Sequence, residues 1–359
     1  MSFSRNGFGL MLLAAALGVP ALAGAQTVQG RVTEAGSGEP VAGAIVALVD
    51  ESGARQAITL SDPAGAYRVT AGAAGTYRVR VERVGFAATT SAPLRLEAGQ
   101  TVEQALAAVS QRIVLEPVVA TGAARRCDGA TTNGAQAATM WEEARKALLS
   151  TTLAAEGGHY RFVTETRERH TSLNGRRVMR DDTVQETRDG VPFESASAES
   201  LVTAGYVQLN REGGVVHGVD AAAILSDAFV EHHCFGMRDG GTEHPGLVGL
   251  EFVPLEGRAQ PDVRGVLWLD RATAELRFVE YGYTRVPFLG PVDRLSGRLD
   301  FKRLPNGAWV TERWTLVIPM LRPASRATLR GYTLGTYRIY GLIERSGRLV
   351  SMQRLAAGQ

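Results

Sequence analysis

Lysine is nearly missing from this sequence: among 39 basic residues only Lys146 and Lys302 are not arginine. We read that skew as a mark of genome composition rather than of function. Net charge is scarce too. A balance of +2 is too small for the electrostatic footprint of a nucleic-acid-binding protein. Beyond the N-terminal segment no stretch reaches the ~18 apolar residues of a membrane-spanning helix. The sequence has no Gly-x-Ser-x-Gly elbow, P-loop, Gly-x-Gly-x-x-Gly helix start or Cys-x-x-Cys pair, so the familiar hydrolase, nucleotide and thiol-redox signatures are absent. Zinc peptidases of the His-x-x-Glu type are disfavoured as well. Three residues after the six histidines stand Phe162, Leu173, Asp220, Phe235, Gly236 and Leu247, never glutamate. Catalytic, cofactor and metal sites are therefore all expected to be absent.

What is present begins with an export signal. Arg5 precedes a short apolar run, Leu10 to Val19, and Ala23-Gly24-Ala25 fits a small-residue cleavage site. Residues 1–25 read as a signal peptide, with a mature chain starting at Gln26. No cysteine stands just after the run, so a bacterial lipid anchor is not expected. Export places the chain in the periplasm or at the periphery of the outer membrane. In such an oxidising compartment Cys127 and Cys234, the only cysteines, are expected to pair. Two buried thiols, or a bond between molecules, are the alternatives.

A length of 359 residues suggests two domains. Residues 27–108 alternate short strands with glycine turns, the pattern of a β-sandwich. Ala44 to Val49 is apolar on both faces and should be a central strand. Several runs carry a resemblance: Val28-Gln29-Gly30-Arg31-Val32, Glu39-Pro40-Val41-Ala42-Gly43-Ala44, Thr59-Leu60-Ser61-Asp62 to Gly65-Ala66-Tyr67, and Gly75-Thr76-Tyr77 to Val84-Gly85-Phe86. In that order they resemble the carboxypeptidase regulatory-like domain, which implies a transthyretin-like sandwich of about seven strands. In that family the domain is an accessory, so the resemblance implies no catalysis. It does imply a carbohydrate-binding-like fold and a docking role.

Residues 109–138 read as a linker. Glu116-Pro117-Val118-Val119-Ala120-Thr121-Gly122 resembles the entry to TonB-dependent receptors, but the ~240 residues that follow are too few for a plug and a barrel of that kind. Residues 139–355 then read as an antiparallel sheet with one or two helices. Thr139 and Glu142 form a capping-box pattern ahead of Trp141, Ala144 and Leu148, with Glu142, Glu143, Arg145 and Lys146 expected mostly outside. Asn174-Gly175 marks a hairpin between two charge-rich strands. Asp220 to His232 reads as a second helix capped by Asp220. Leu276 and Phe278 are assigned one face, and Val279, Tyr281 and Tyr283 the other. The layout around Gly265 to Asp270 and Leu276 to Tyr283 is similar to the half-barrels of lipoprotein-carrier proteins such as LolA, which implies an apolar concavity.

The fold expected is thus mainly β: a transthyretin-like sandwich followed by a curved antiparallel sheet. The function expected is non-enzymatic binding or docking in the envelope, with an envelope protein, a glycan or a lipid as partner. A structural or adhesion protein with a filled core is the rival reading, and an unrecognised hydrolase a weaker one. Trp268, Phe278, Tyr281, Tyr283, Trp314 and Tyr337 form the candidate apolar ligand face, against the plainer reading that they pack a core. Adjacent side chains in Glu231-His232-His233-Cys234 point apart and should not share a metal. Asp181-Asp182 and Glu165 read as a solvated ion-pair face.

Overall fold

The computed structural model of the chain describes residues 25–111, 134–156, 160–189, 192–209, 214–329 and 332–354. The signal segment lies outside them, as does the part of the linker that holds Arg125, Arg126 and Cys127.

Nine short strands build the first body: β1 (Gln26–Glu34), β2 (Ile45–Asp50), β3 (Arg55–Leu60), β4 (Ala66–Ala71), β5 (Gly75–Glu82), β6 (Thr89–Thr90), β7 (Leu94–Leu96), β8 (Thr101–Glu103) and β9 (Leu106–Ala108). One sheet runs β4-β1-β8, with β9 also on β1; the other runs β3-β2-β5-β6, with β7 on β5. Alternation drives the sandwich together. Val28, Val32, Val46, Leu48, Val69, Val79 and Val81 interleave in one core. β2 lies between β3 and β5, as its two apolar faces require. Its second face, with Ile45, Ala47 and Val49, is turned to a cleft shared with the next helix.

That helix, α1 (Gly134–Glu156), opens the second body. It starts inside the expected linker. Thr139 is not its cap: the hydroxyl donates back to the Ala135 carbonyl within the helix, at 3.0 Å. Then follow β10 (Tyr160–Ser172), β11 (Val178–Asp189), α2 (Ala198–Ala204), β12 (Val207–Gln208), β13 (Val215–Val216), α3 (Ala221–Leu225) and α4 (Asp227–His232). The rest is strand: β14 (His233–Asp239), β15 (Leu247–Pro254), β16 (Asp262–Asp270), β17 (Leu276–Thr284), β18 (Phe288–Leu289), β19 (Ser296–Arg303), β20 (Trp309–Leu329) and β21 (Tyr332–Arg354). The described residues thus hold four α-helices, more than the one or two expected. The single helix expected over 220–232 is broken at Ser226, whose hydroxyl caps α4 while Asp220 caps α3.

The large sheet runs β11-β10-β21-β20-β19-β17-β16-β15-β14, with β18 parallel to β21. Its inner face packs Leu250, Phe252, Leu267, Val279, Leu299 and Trp314 against Met140, Ala144 and Leu148 of α1, Ile224 of α3 and Phe229 of α4. Between β16 and β17 the register slips: Trp268 pairs with Phe278, but Leu269 pairs with Leu276. The extra residue, Arg277, is a bulge. Leu276 therefore turns inward with Val279, not outward with Phe278 as strict alternation predicts.

The two bodies are docked. Glu143 and Lys146, expected outside, are buried. Glu143 accepts a hydrogen bond from the Gly85 amide, Lys146 donates to the Phe86 carbonyl, and the two side chains pair at 2.5 Å. Arg145 reaches Glu82 at 2.8 Å. Like those contacts, the turn at Gly43 meets the turn at Gly307.

Candidate functional site

The six residues of the expected ligand face do not share one surface. Tyr281, Tyr283 and Trp314 lie in the inner core, each 7% exposed or less, with Tyr337 partly buried against it. Trp268 and Phe278 lie on the opposite face with Val266. The physical reason is parity in the sheet. Residues 268 and 278 are a cross-strand pair, and positions 279, 281 and 283 alternate to the other side. The helix–sheet interior is filled: Tyr281 accepts a hydrogen bond from the Val219 amide, and Tyr283 donates to the His217 carbonyl. Burial pushes both phenols upward in pKa. On the outer face Trp268 and Phe278 are themselves covered. Arg298 lies 3.6 Å from the Phe278 centroid, and the Trp268 indole donates to Glu280.

The helices cover only part of the inner face, and a pocket opens where they stop. Sheet register builds its floor in two rows. Trp314, Gly347, Thr166 and Val184 lie side by side across β20, β21, β10 and β11; so do Leu316, Arg345, Glu168 and Asp182. Gly347 is needed there, because a Cβ would meet the Trp314 ring at 2.0 Å. The roof comes from residues 193–196 and 215–218. Asp220 pins it, accepting from the Ser195 amide at 2.7 Å, while the Ser195 hydroxyl donates to the Gly218 carbonyl at 2.7 Å. Phe193 reaches down to Trp314, with ring centroids 6.0 Å apart. This open cleft has a volume of about 480 Å³, within the range of small-molecule sites.

One end of this pocket is apolar (Phe193, Trp314, Leu316, Val216) and the other is charged. Glu168 accepts from Arg345 at 2.7 Å, meets His170 at 2.8 Å and lies 3.4 Å from Arg180. The Arg345 and His170 hydrogen bonds hold the Glu168 carboxyl below the usual range. Arg180 also pairs with Asp182. Of the ion-pair face expected at Asp181, Asp182 and Glu165, Asp182 lines the pocket, while Asp181 pairs with Arg167 and Glu165 with Arg348 elsewhere on the hairpin. His217, half-buried, lines the pocket, and burial lowers its pKa.

The histidine cluster takes a structural place. Both ring nitrogens of His233 face carbonyl oxygens, Phe229 at 2.8 Å and Val263 at 3.1 Å, and its ring stacks on Phe229 at 4.0 Å. Asp262 lies 3.4 Å away and also takes Arg258 at 2.7 Å. This set ties α4 to β16. Cys234 follows on β14, opposite Val253. No cysteine is free among the described residues; Cys127 lies outside them. Among the described residues no group of three His, Cys, Asp or Glu side chains is placed to hold a metal ion.

The order of motifs and the two-sheet core of the first body point to one family. Residues 27–109 match the carboxypeptidase regulatory-like domain. The regulatory-like domain covers the sandwich and ends just before the undescribed part of the linker. No curated protein matches the chain. Three solved structures show partial likeness. GBS52, the minor pilin of Streptococcus agalactiae, is 15% identical over 27% of this chain and 48% of its own, with a TM-score of 0.20. A DUF3823 family protein from Bacteroides uniformis is 13% identical over 47% and 84%, with a TM-score of 0.18. A Bacteroides fragilis protein of unknown function is 12% identical over 91% and 98%, with a TM-score of 0.19. The chain spans about half the length of the pilin. At these scores the three structures carry no argument about fold or function.

Proposed function

We propose that this is an exported, non-catalytic binding protein of the bacterial envelope, and that the pocket roofed by Phe193 and His217 takes a small amphipathic ligand. One observation carries the reading: a cleft of about 480 Å³ with an aromatic end at Trp314 and a charged end at Glu168 and Arg345. Such a mixture orients a ligand, because the apolar part gains by leaving water and the polar part keeps its hydrogen bonds. The regulatory-like domain serves as a docked accessory, fastened through Glu143 and Lys146. The filled interior between helices and sheet favours a structural role for that region rather than carriage of an acyl chain there. The export signal and the Cys127–Cys234 bond belong to the same proposal.

The probe for the test is 1-anilinonaphthalene-8-sulfonate, an apolar ring system with one anionic group. The mature chain should bind it saturably, with enhanced fluorescence. Val184 is 52% exposed and stands in the Trp314 row of the floor, so Val184→Trp fills the mouth at little cost to the core. Binding should fall at least tenfold in that variant. Equal binding by the folded variant sinks the proposal.

A further inference from the structure

β20 and β21 continue well past their neighbours. β19 pairs with β20 only as far as Val317, and β10 pairs with β21 only from Gly341. The two long strands stay paired to each other out to Leu329↔Tyr332. Among the described residues, the one other strand on this overhang is β18, at Tyr337 and Arg338. Beyond it, Pro323 to Leu329 extends about 20 Å at ~3.4 Å per residue.

The charge on this arm has one sign. Between Val317 and Glu344 the sequence has Arg322, Arg326, Arg330 and Arg338 and no carboxylate. Arg322 and Arg338 stand directly opposite each other, and both are exposed. Like charges facing across a strand pair cost stability, and no acidic partner for either is found among the described residues. A hairpin that keeps such a pair is built to meet negative charge from outside. Along β21 Ile339 turns into the core at 2% exposure, while Tyr340 beside it, two residues from Arg338, is 39% exposed.

We propose that this arm docks on an anionic lipid surface. Arg322 and Arg338 meet headgroup phosphates, while Tyr340 settles at the level where tyrosine concentrates at membrane–water interfaces. A soluble acidic polymer would be met by charge alone. The exposed ring of Tyr340, two residues from Arg338, favours a surface with an apolar underside. The arm lies outside the pocket, so this inference stands apart from the ligand proposal.

The test uses the mature full-length chain in vesicle sedimentation. Vesicles of phosphatidylcholine with about one-third phosphatidylglycerol should bind it at least tenfold more tightly than phosphatidylcholine alone, less so as salt rises. Arg322→Glu places a carboxylate opposite Arg338, so strand pairing is kept while the arm changes by two charges. Its binding should fall roughly thirtyfold, the worth of two charges at such a surface. Tyr340→Ser should weaken the binding that survives high salt. Equal binding to both vesicle types overturns the proposal, as does unchanged binding by folded Arg322→Glu. Retention on polyglutamate without binding to vesicles overturns it too, in favour of an acidic polymer.

Discussion

Gly43 and Gly307 meet backbone to backbone across the junction of the two bodies. A Cβ on Gly43 would stand 2.1 Å from the Gly307 carbonyl carbon, and one on Gly307 would stand 2.1 Å from the Ala42 carbonyl oxygen. Both residues also have positive φ, +67° and +81°. Alanine at either position must push the bodies apart. Gly307→Ala should cost about 2–4 kcal/mol in urea denaturation, overpacking added to left-handed strain. Gly53→Ala, also at positive φ but in open space, should cost only the strain, about 1–2 kcal/mol. Equal losses in the two variants would remove the junction from the explanation.

Glu143 and Lys146 form a buried pair whose remaining atoms serve Gly85 and Phe86 of the other body. Lys146→Met strands a carboxylate away from water and should destabilise by about 3–5 kcal/mol. Removing both charges in Glu143→Leu/Lys146→Met should cost clearly less than the sum of the two single changes. A double-mutant cycle by thermal unfolding reads this directly, and additive losses would contradict it.

Asp262 gives the acid limb of stability a defined sign. Burial raises its pKa, but the His233 hydrogen bond and charge, then the Val263 amide and Arg258, outweigh it and leave the carboxyl below its ordinary value. Its contribution is therefore fully present above the unfolded value near pH 4 and is lost as pH falls through the lower folded value. Asp262→Asn should be less stable than the parent at pH 7, and the gap should close on acidification below pH 4. A gap that stays constant to pH 2 would show that the charge is immaterial.

The expected Cys127–Cys234 bond would close a loop of about 100 residues, worth about 4–5 kcal/mol in the chain-entropy account. Protein from the envelope should yield one cross-linked peptide pair in a non-reducing digest, within a monomer. Free thiols at both positions, or a disulfide-linked dimer, would refute the intrachain bond.

Local alternation made much of this fold legible. Gly265 to Asp270 and Leu276 to Tyr283 fall within β16 and β17, and Asn174-Gly175 marked the β10–β11 turn. Alternation could not show the bulge at Arg277, because an inserted residue leaves no compositional trace. Nor could it place Glu143 and Lys146. On a helical wheel they are polar positions, and what buries them comes from a chain segment some 60 residues earlier. The pocket was hidden for the same reason. Its floor joins Thr166 and Glu168 to Trp314 and Arg345 through β21, a strand of 23 residues that brings together segments far apart in the chain. Of the residues singled out beforehand as a ligand face, only Trp314 lines it.

The scarcity of lysine gains a practical meaning once Lys146 is buried. Lys302 is 58% exposed at its side chain and alternates with the inward-facing Phe301. It offers the single accessible ε-amine in the chain's described residues. With the α-amine blocked, acylating reagents should therefore couple at one known side chain on the sheet's outer side, giving tethered or fluorophore-tagged molecules of uniform orientation with both the pocket and the arginine arm left unencumbered.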